Sequence, residues 1–357
     1  MEYTREEKFL IWLNGFLSLD YARKAKIAAL AEDGGADLSR MQRIAGEESF
    51  AEMKRSYSAR YIEKILGEYE KKGIFCVTHA SSLYPELLKR ISEPPLVLYC
   101  KGNARLLSDW RKLAVVGSRR TPANILKLTE EFSKRLAEAF TIVTGLADGG
   151  DSAAIRGALE SGKLISVLAH GFDHVYPECN RNLLSKIMEK GLAVTEYTPA
   201  VAPQKYNFPF RNRIIAGLVD GVLVVSGGLK SGTRHTARYA FEYARDVFAF
   251  PYGIGVAAGE GCNDIIKNGG KLVENLVDIT ASFGIHLTET EEIGLSSQEE
   301  NLLEILRGGE KHISELAVLS GKKPYELQPL LVSLEMKNRI ADCGGNRYCA
   351  KSEAKRS

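Results

Sequence analysis

The sequence has no C-x-x-C pair, no apolar run of the ~20 residues that would cross a bilayer, and no strong net charge. Each absence excludes something. Six cysteines (Cys76, Cys100, Cys179, Cys262, Cys343 and Cys349) without a paired motif read as reduced thiols rather than a zinc site or a disulfide framework, although Cys343 and Cys349 are placed to face each other across a hairpin. Without a spanning segment or a basic, small-residue leader, the chain reads as cytoplasmic, with no membrane partner. A net charge of +3 over 357 residues is too small to argue for nucleic acid, so a polyanion site must come from local clustering. The motifs of several ligands are missing too. No strand is followed by G-x-G-x-x-G, no segment reads G-x-x-x-x-G-K-[ST], and no serine sits in G-x-S-x-G. His170 and His174 lie near Asp173 without a nucleophile, and His170 reads as a packed strand-end residue. The acids Asp148, Asp151 and Asp173 are too scattered for a metal pair, and Asp151 reads as a helix cap. No cofactor or metal is implied.

What is present has a clear rhythm. Residues 1–75 carry FLIWLNGFL, ARKAKIAALAE and ARYIEKILGEYEKKG, with apolar residues at three- and four-residue spacing, and read as a small helical domain of the SAM or helix-hairpin-helix kind. Residues 76–104 read as a connector ending in an edge strand, LVLYCKG. From 105 to 285, short Val/Ile/Leu-rich runs (LAVVGS, TIVTGL, LISVLAHG, LAVTEY, GVLVVSGG, DVFAFP) alternate with helical patterns. Runs this short and this apolar predict a parallel sheet buried on both faces: an extended Rossmann-like, doubly wound α/β domain. Residues 286–296 read as a polar linker. Residues 297–351 read as three helices and a β-hairpin, a winged helix, and 352–357 as a disordered tail.

In such a sheet, ligands bind at the carboxyl ends of the strands. Three windows containing strand ends lack any acid: Trp110–Thr129 with five bases, Tyr197–Val219 with Lys205, Arg211 and Arg213, and Gly221–Phe241 with Lys230, Arg234 and Arg238. The fold brings them to one edge, which is the footprint of a polyanion. Within the second, FPFRNRIIAGL places Phe208 and Phe210 beside Arg211 and Arg213. Cations for successive phosphates and rings for exposed bases are the two needs of a nucleic-acid strand. The other reading puts one ring in the core and pairs one arginine with Glu196 or Asp220. SGGLKSGT adds a glycine-rich loop whose amides and Ser231 or Thr233 suit a phosphate.

VVGSRR, TGLADGGDSAAIRGAL, HGFDHVYPECNRNL, FPFRNRIIAGL, VLVVSGGLKSGTRHTARYA and GCNDIIKNGG, in this order from about Tyr84 to Ile279, resemble the DNA-processing protein A (DprA/Smf) family. The resemblance implies a dimeric, non-enzymatic protein that binds incoming single-stranded DNA in natural transformation. Its implied partners are the RecA recombinase, which it helps load, and single-strand-binding protein. By motif it implies DNA contacts at Gly117, Ser118 and Arg119, at Phe208, Arg211, Asn212 and Arg213, and at Gly228, Ser231, Gly232 and Thr233; the acid-free window adds Lys205 to the candidate site. Two departures stand out. The acid usual before the S-G loop is replaced by Ser226-Gly227-Gly228, and the basic residue of S-G-L-A-R-G-I-D by Asp148. The alternative is a phosphoribohydrolase of the lysine-decarboxylase-like fold. Its P-G-G-x-G-T-x-x-E motif matches poorly, because Thr236 stands where the catalytic Glu belongs.

Overall fold

The computed structural model describes residues 2–32, 38–285, 296–336 and 339–351. The proposed linker, apart from Ser296, and the proposed tail lie outside the described residues. The chain forms two compact units, Met1–His286 and Leu287–Ser357.

The first unit is built on a nine-stranded sheet. Its strands are β1 (Phe75–Thr78), β2 (Val97–Gly102), β3 (Lys112–Val116), β4 (Thr141–Thr144), β5 (Leu164–Val167), β6 (Leu192–Thr195), β7 (Gly221–Val224), β8 (Asp246–Ala249) and β9 (Lys271–Leu272). They lie in the order β1-β2-β6-β5-β4-β3-β7-β8-β9. The seven strands from β6 to β9 are parallel, and β2 and β1 add antiparallel at one side. Every residue of β3 to β7 is buried, as their uninterrupted apolar composition predicts. Helices cover both faces. Val116, Val222, Val224, Val247 and Ala249 share a core with Ile214, Ile215, Ala237, Ala240 and Ile265 from three helices. Phe248 and Phe250 alternate with Val247 and Ala249 and so face the other way. There Phe248 meets Phe283 and Phe250 meets Phe132 of the helix Ala123–Leu136.

Two expectations change. LVLYCKG forms β2, which is not an edge strand, since β1 pairs along its outer side. The first 75 residues also do not form a separate compact unit. The helices Arg5–Asn14, Tyr21–Glu32, Leu38–Ala45, Glu47–Ser56 and Ala59–Lys71 pack around Trp12, whose ring contacts Phe9, Phe16 and Tyr57. This core runs without a break into Cys76, Val97 and Tyr99 of β1 and β2. The alternate residues of those strands, Val77, Leu98 and Cys100, belong to the main core. The two strands are therefore the wall shared by the helices and the sheet.

The second unit contains the helices Ser297–Arg307, Ile313–Ser320 and Pro324–Met336. Its three-stranded sheet has the order β10 (Lys311–His312), β12 (Arg347–Ala350), β11 (Ile340–Gly344). Leucines from all three helices and Ile340 form its core.

Candidate nucleic-acid interface

The strand order reverses at β3, which has β4 on one side and β7 on the other. Connections leaving β3 and β7 run apart, so a crevice opens beyond their carboxyl ends. A cleft of about 330 Å³ lies there. Three segments far apart in sequence line it: Gly117–Arg120 after β3, the start of the helix Asn207–Gly217 (Phe208, Pro209, Arg211, Asn212, Ile215), and Ser231–Thr233 with Thr236 after β7.

Backbone crowding shapes the first segment. Gly117 and Gly150 approach so closely that a Cβ on Gly150 would stand 2.4 Å from the Gly117 Cα. Gly149 has φ +82°, and a Cβ there would meet the Ser118 carbonyl at 2.3 Å. Glycine at these positions lets the β3 loop rest on the first turn of the helix Gly150–Ala158. The amide N–H groups of Gly117 and Ser118 have internal acceptors. Gly117 donates to Asp151 Oδ1 at 3.1 Å, and Ser118 donates to Ser226 Oγ at 2.9 Å. Gly117 and Ser118 thus set the shape of the loop, while Arg119 and Arg120 are its exposed cations. Ser226 ties the β3 and β7 loops together. Its hydroxyl also lies 2.5 Å from that of Thr121.

Asp151 is not a helix cap. It sits one residue inside the helix, buried, with its carboxylate beside the Arg211 guanidinium around Gly145. Burial raises the Asp151 pKa, opposed by Arg211 and by the amides of Gly117, Ala147 and Gly145. Burial likewise lowers that of Arg211, opposed by Asp151. Arg211 donates through Nη1 to the Val167 carbonyl at the end of β5 and through Nε to Asn212 Oδ1 at 3.1 Å. Asn212 in turn donates to the Gly232 carbonyl at 3.3 Å, joining the helix to the β7 loop. In that loop the Thr233 hydroxyl donates to Ser231 Oγ at 3.0 Å.

FPFRNRIIAGL is helical from its first residue, so its rings and cations divide between two sides. Pro209 is accommodated because it lies in the first turn, where an N–H would have no helical acceptor. Phe208 stays half-buried at the cleft and meets Tyr176 edge-on with ring centroids 5.2 Å apart. The Arg119 guanidinium lies 5.9 Å from each of these two rings. Tyr176 is 38% exposed. It comes from HGFDHVYP after β5 and was not among the residues singled out from the sequence. Its only signal there is an aromatic in a strand-end loop.

Arg213 is the main correction. It is not presented to the cleft: it is 1% exposed and forms a two-pronged ion pair with Glu196 at 2.9 and 2.6 Å. Its guanidinium lies 3.8 Å over the Phe210 ring. Burial works against its charge, but Glu196 outweighs burial and holds the pKa above its ordinary value. Gly228 lies behind the loop, where a Cβ would meet the Ala257 carbonyl at 3.1 Å, and Lys205 is an exposed residue just before the helix; neither lines the cleft. Thr236 does line it, buried, at the position where the alternative enzyme needs a carboxylate. His170 is buried after β5, as expected, and Asp173 is paired with Lys72 at 2.6 Å. Among the described residues, no group of three His, Cys, Asp or Glu side chains is arranged to hold a metal ion, and no helix is long and apolar enough to cross a membrane.

The sequence profile of the DNA recombination-mediator protein A family matches residues 75–284. The chain is 37% identical over 220 residues to DNA processing protein DprA of Bacillus subtilis, covering 61% of this chain and 74% of that protein. It is 40% identical over 217 residues to DprA of Streptococcus pneumoniae, covering 60% and 76%. The crystal structure of the Streptococcus pneumoniae protein superposes with a TM-score of 0.70 at 34% identity, over 80% of this chain and all of that one. A structure of DNA processing protein A from Helicobacter pylori, described for its single-stranded DNA binding mode, superposes with a TM-score of 0.55 at 28% identity, over 60% and 97%.

Proposed function

The chain belongs to the DNA recombination-mediator protein A family, and from that premise we propose that it binds single-stranded DNA without sequence preference along the switch-point edge of its sheet. One observation carries this reading: the cleft beyond β3 and β7, with Arg119 set against the exposed Tyr176 and the half-buried Phe208 at its rim. Arg119 and Arg120 supply cations for the phosphates. Tyr176 and Phe208 supply π-faces for unstacked bases, a contact every base offers. Ser231 and Thr233 stand at the start of the helix Thr233–Glu242, where the helix dipole favours an anion. Duplex DNA hides its base faces and cannot use the rings.

Following the family, we further propose that the protein is a cytoplasmic homodimer that protects incoming DNA and delivers RecA to strands coated by single-strand-binding protein. Its work is binding, without turnover. In the second unit, three helices and a small sheet have the element order of a winged helix. Neither Ile313–Ser320 nor Pro324–Met336, the helix in the groove-reading position, has a Lys or Arg, which suits a protein contact better than reading of a DNA groove.

The test is affinity for oligo-dT and for duplex of equal length across a salt series. Single strands should bind more tightly. Neutralising ~4 phosphates should give a log–log salt slope of about −3, from roughly −0.7 per contact. Equal affinity for both DNAs, or no salt dependence, rules the reading out. Incubation with nucleoside monophosphates should release no free base; release would favour the phosphoribohydrolase.

A further inference from the structure

The hairpin of the second unit carries a feature that DNA binding does not use. β11 and β12 run antiparallel with Ala341 opposite Cys349 and Asp342 opposite Tyr348; the register then slips, so that Gly344 stands opposite Arg347. Cys343 is the extra residue of this bulge. Bulges leave one residue without a cross-strand partner and re-aim its side chain. The turn that follows takes Gly344, Gly345 and Asn346 at φ 85°, 62° and 59°. The result is that Cys343 Sγ lies 3.1 Å from Cys349 Sγ. Cys343 is exposed and Cys349 half-buried.

We propose that Cys343 and Cys349 form a reversible dithiol–disulfide site, oxidised by low-molecular-weight disulfides, that covalently joins β11 to β12. A bonded sulfur pair is about 2.0 Å apart, so the sulfurs need to close by only ~1 Å. In the first step one Cys thiolate attacks a sulfur of the small disulfide RS–SR, forming a mixed disulfide and releasing RS⁻. The second Cys, deprotonated, then attacks the protein sulfur of that mixed disulfide and expels the second RS⁻. The balance is two protein thiols plus RS–SR giving one protein disulfide plus two RSH. The hydrogen bond with Cys349, foremost, pushes the Cys343 thiol up to about 11. Thiolate attack by Cys343 is therefore suppressed at neutral pH and accelerates as pH rises.

The remaining cysteines give an internal control. Cys76, Cys100 and Cys262 are buried, and burial raises their thiol pKa values, to about 12 for Cys76 and Cys262. Cys179 is exposed, but its sulfur faces Asn180 Oδ1 at 4.0 Å. A small disulfide should therefore leave Cys179 as a mixed disulfide and carry the hairpin pair through to an internal one.

The experiment treats the full chain with oxidised glutathione at mildly alkaline pH, followed by digestion and mass spectrometry. The expected product is a peptide containing both Cys343 and Cys349, lighter by two hydrogens, restored by reductant, with glutathione on Cys179. C343S should instead hold glutathione at Cys349, and C349S at Cys343, because the resolving thiol is gone. Stable glutathione adducts on Cys343 or Cys349 of the unsubstituted chain overturn the proposal. So does a hairpin that stays reduced while Cys179 reacts.

Discussion

Replacing Arg213 by Ala separates a structural arginine from a DNA-binding one. The guanidinium is 1% exposed, and Glu196, its partner, has a side chain only 13% exposed. Removing one member of a buried pair leaves the other charge uncompensated, at a typical loss of about 3–5 kcal/mol. The contact with Phe210 at 3.8 Å is lost as well, worth roughly 0.5–2 kcal/mol and not additive with the first term. Relaxation around the partly exposed Glu196 offsets some of this, so a net loss of about 3–4 kcal/mol is expected, or roughly 5–7 °C in Tm for a unit of this size. Thermal unfolding by circular dichroism reads the first quantity. Fluorescence anisotropy with oligo-dT, well below the transition, reads the second and should change by no more than about threefold, under 1 kcal/mol. The double variant Glu196→Gln, Arg213→Met removes both charges and should recover much of the lost Tm. An Arg213→Ala protein that keeps its Tm and loses DNA affinity refutes the assignment, because it places this guanidinium on the strand despite its burial.

Arg119→Ala is the complement: an exposed side chain whose loss should weaken oligo-dT binding by ~1–3 kcal/mol, leave Tm unchanged and make the salt slope less negative by about 0.7. Tyr176→Ala and Phe208→Ala should each cost ~1–3 kcal/mol of single-strand affinity, whereas Phe210→Ala should lower Tm and spare affinity; the same two assays show which ring does which. Burial pushes the Lys24 ammonium from its ordinary 10.5 down to about 8. Between those values the unfolded chain holds a proton that the folded chain lacks, so this group makes stability rise with pH there and contributes no slope below about 8. The Tm of the unsubstituted chain should rise relative to that of Lys24→Met across that window, and a constant offset contradicts the assignment.

The parallel strands were legible because burial on both faces leaves a continuous apolar run, and β3 to β7 each carry one. β1 was not. Phe75–Thr78 is four residues long, follows the helix Ala59–Lys71 after a short turn and pairs only with residues 97–100, so nothing local announces it. β9 is two exposed residues and offers even less. The N-terminal boundary failed for a different reason. Periodicity in the helices around Trp12 shows that they have an apolar face, but not what covers it. The cover is supplied in part by Val97 and Tyr99 of β2, more than twenty residues beyond the last of those helices.

The site itself shows how charge pattern and helical period divide the information. Acid-free windows pointed to the edge where the switch-point cleft lies, because strand ends and strand order converge there. They could not say which cation is free, since a window has no sides. The helix Asn207–Gly217 does have sides. Phe208, Arg211, Asn212 and Ile215 follow the spacing i, i+3, i+4, i+7, and all four line the cleft. Phe210, Arg213, Ile214 and Gly217 follow the same spacing two residues on. Arg213, Ile214 and Gly217 face inward, to Glu196, the main core, and Leu88 and Ile91, and the half-buried Phe210 lies against the Arg213 guanidinium. With the helix begun at Asn207, the helical period alone separates Phe208 and Arg211 from Phe210 and Arg213. The sorting also limits what Arg211 can do. It is buried at the cleft floor, with its donors committed to Val167 and Asn212 and its charge opposite Asp151. On the proposed reading it holds three loops in register and contributes a positive floor, while Arg119 and Arg120 at the rim make the phosphate contacts. Arg211→Ala should therefore lower Tm and affinity together, unlike either Arg119→Ala or Arg213→Ala. An Arg211 variant that loses affinity at unchanged Tm would move this residue from the scaffold to the contact surface.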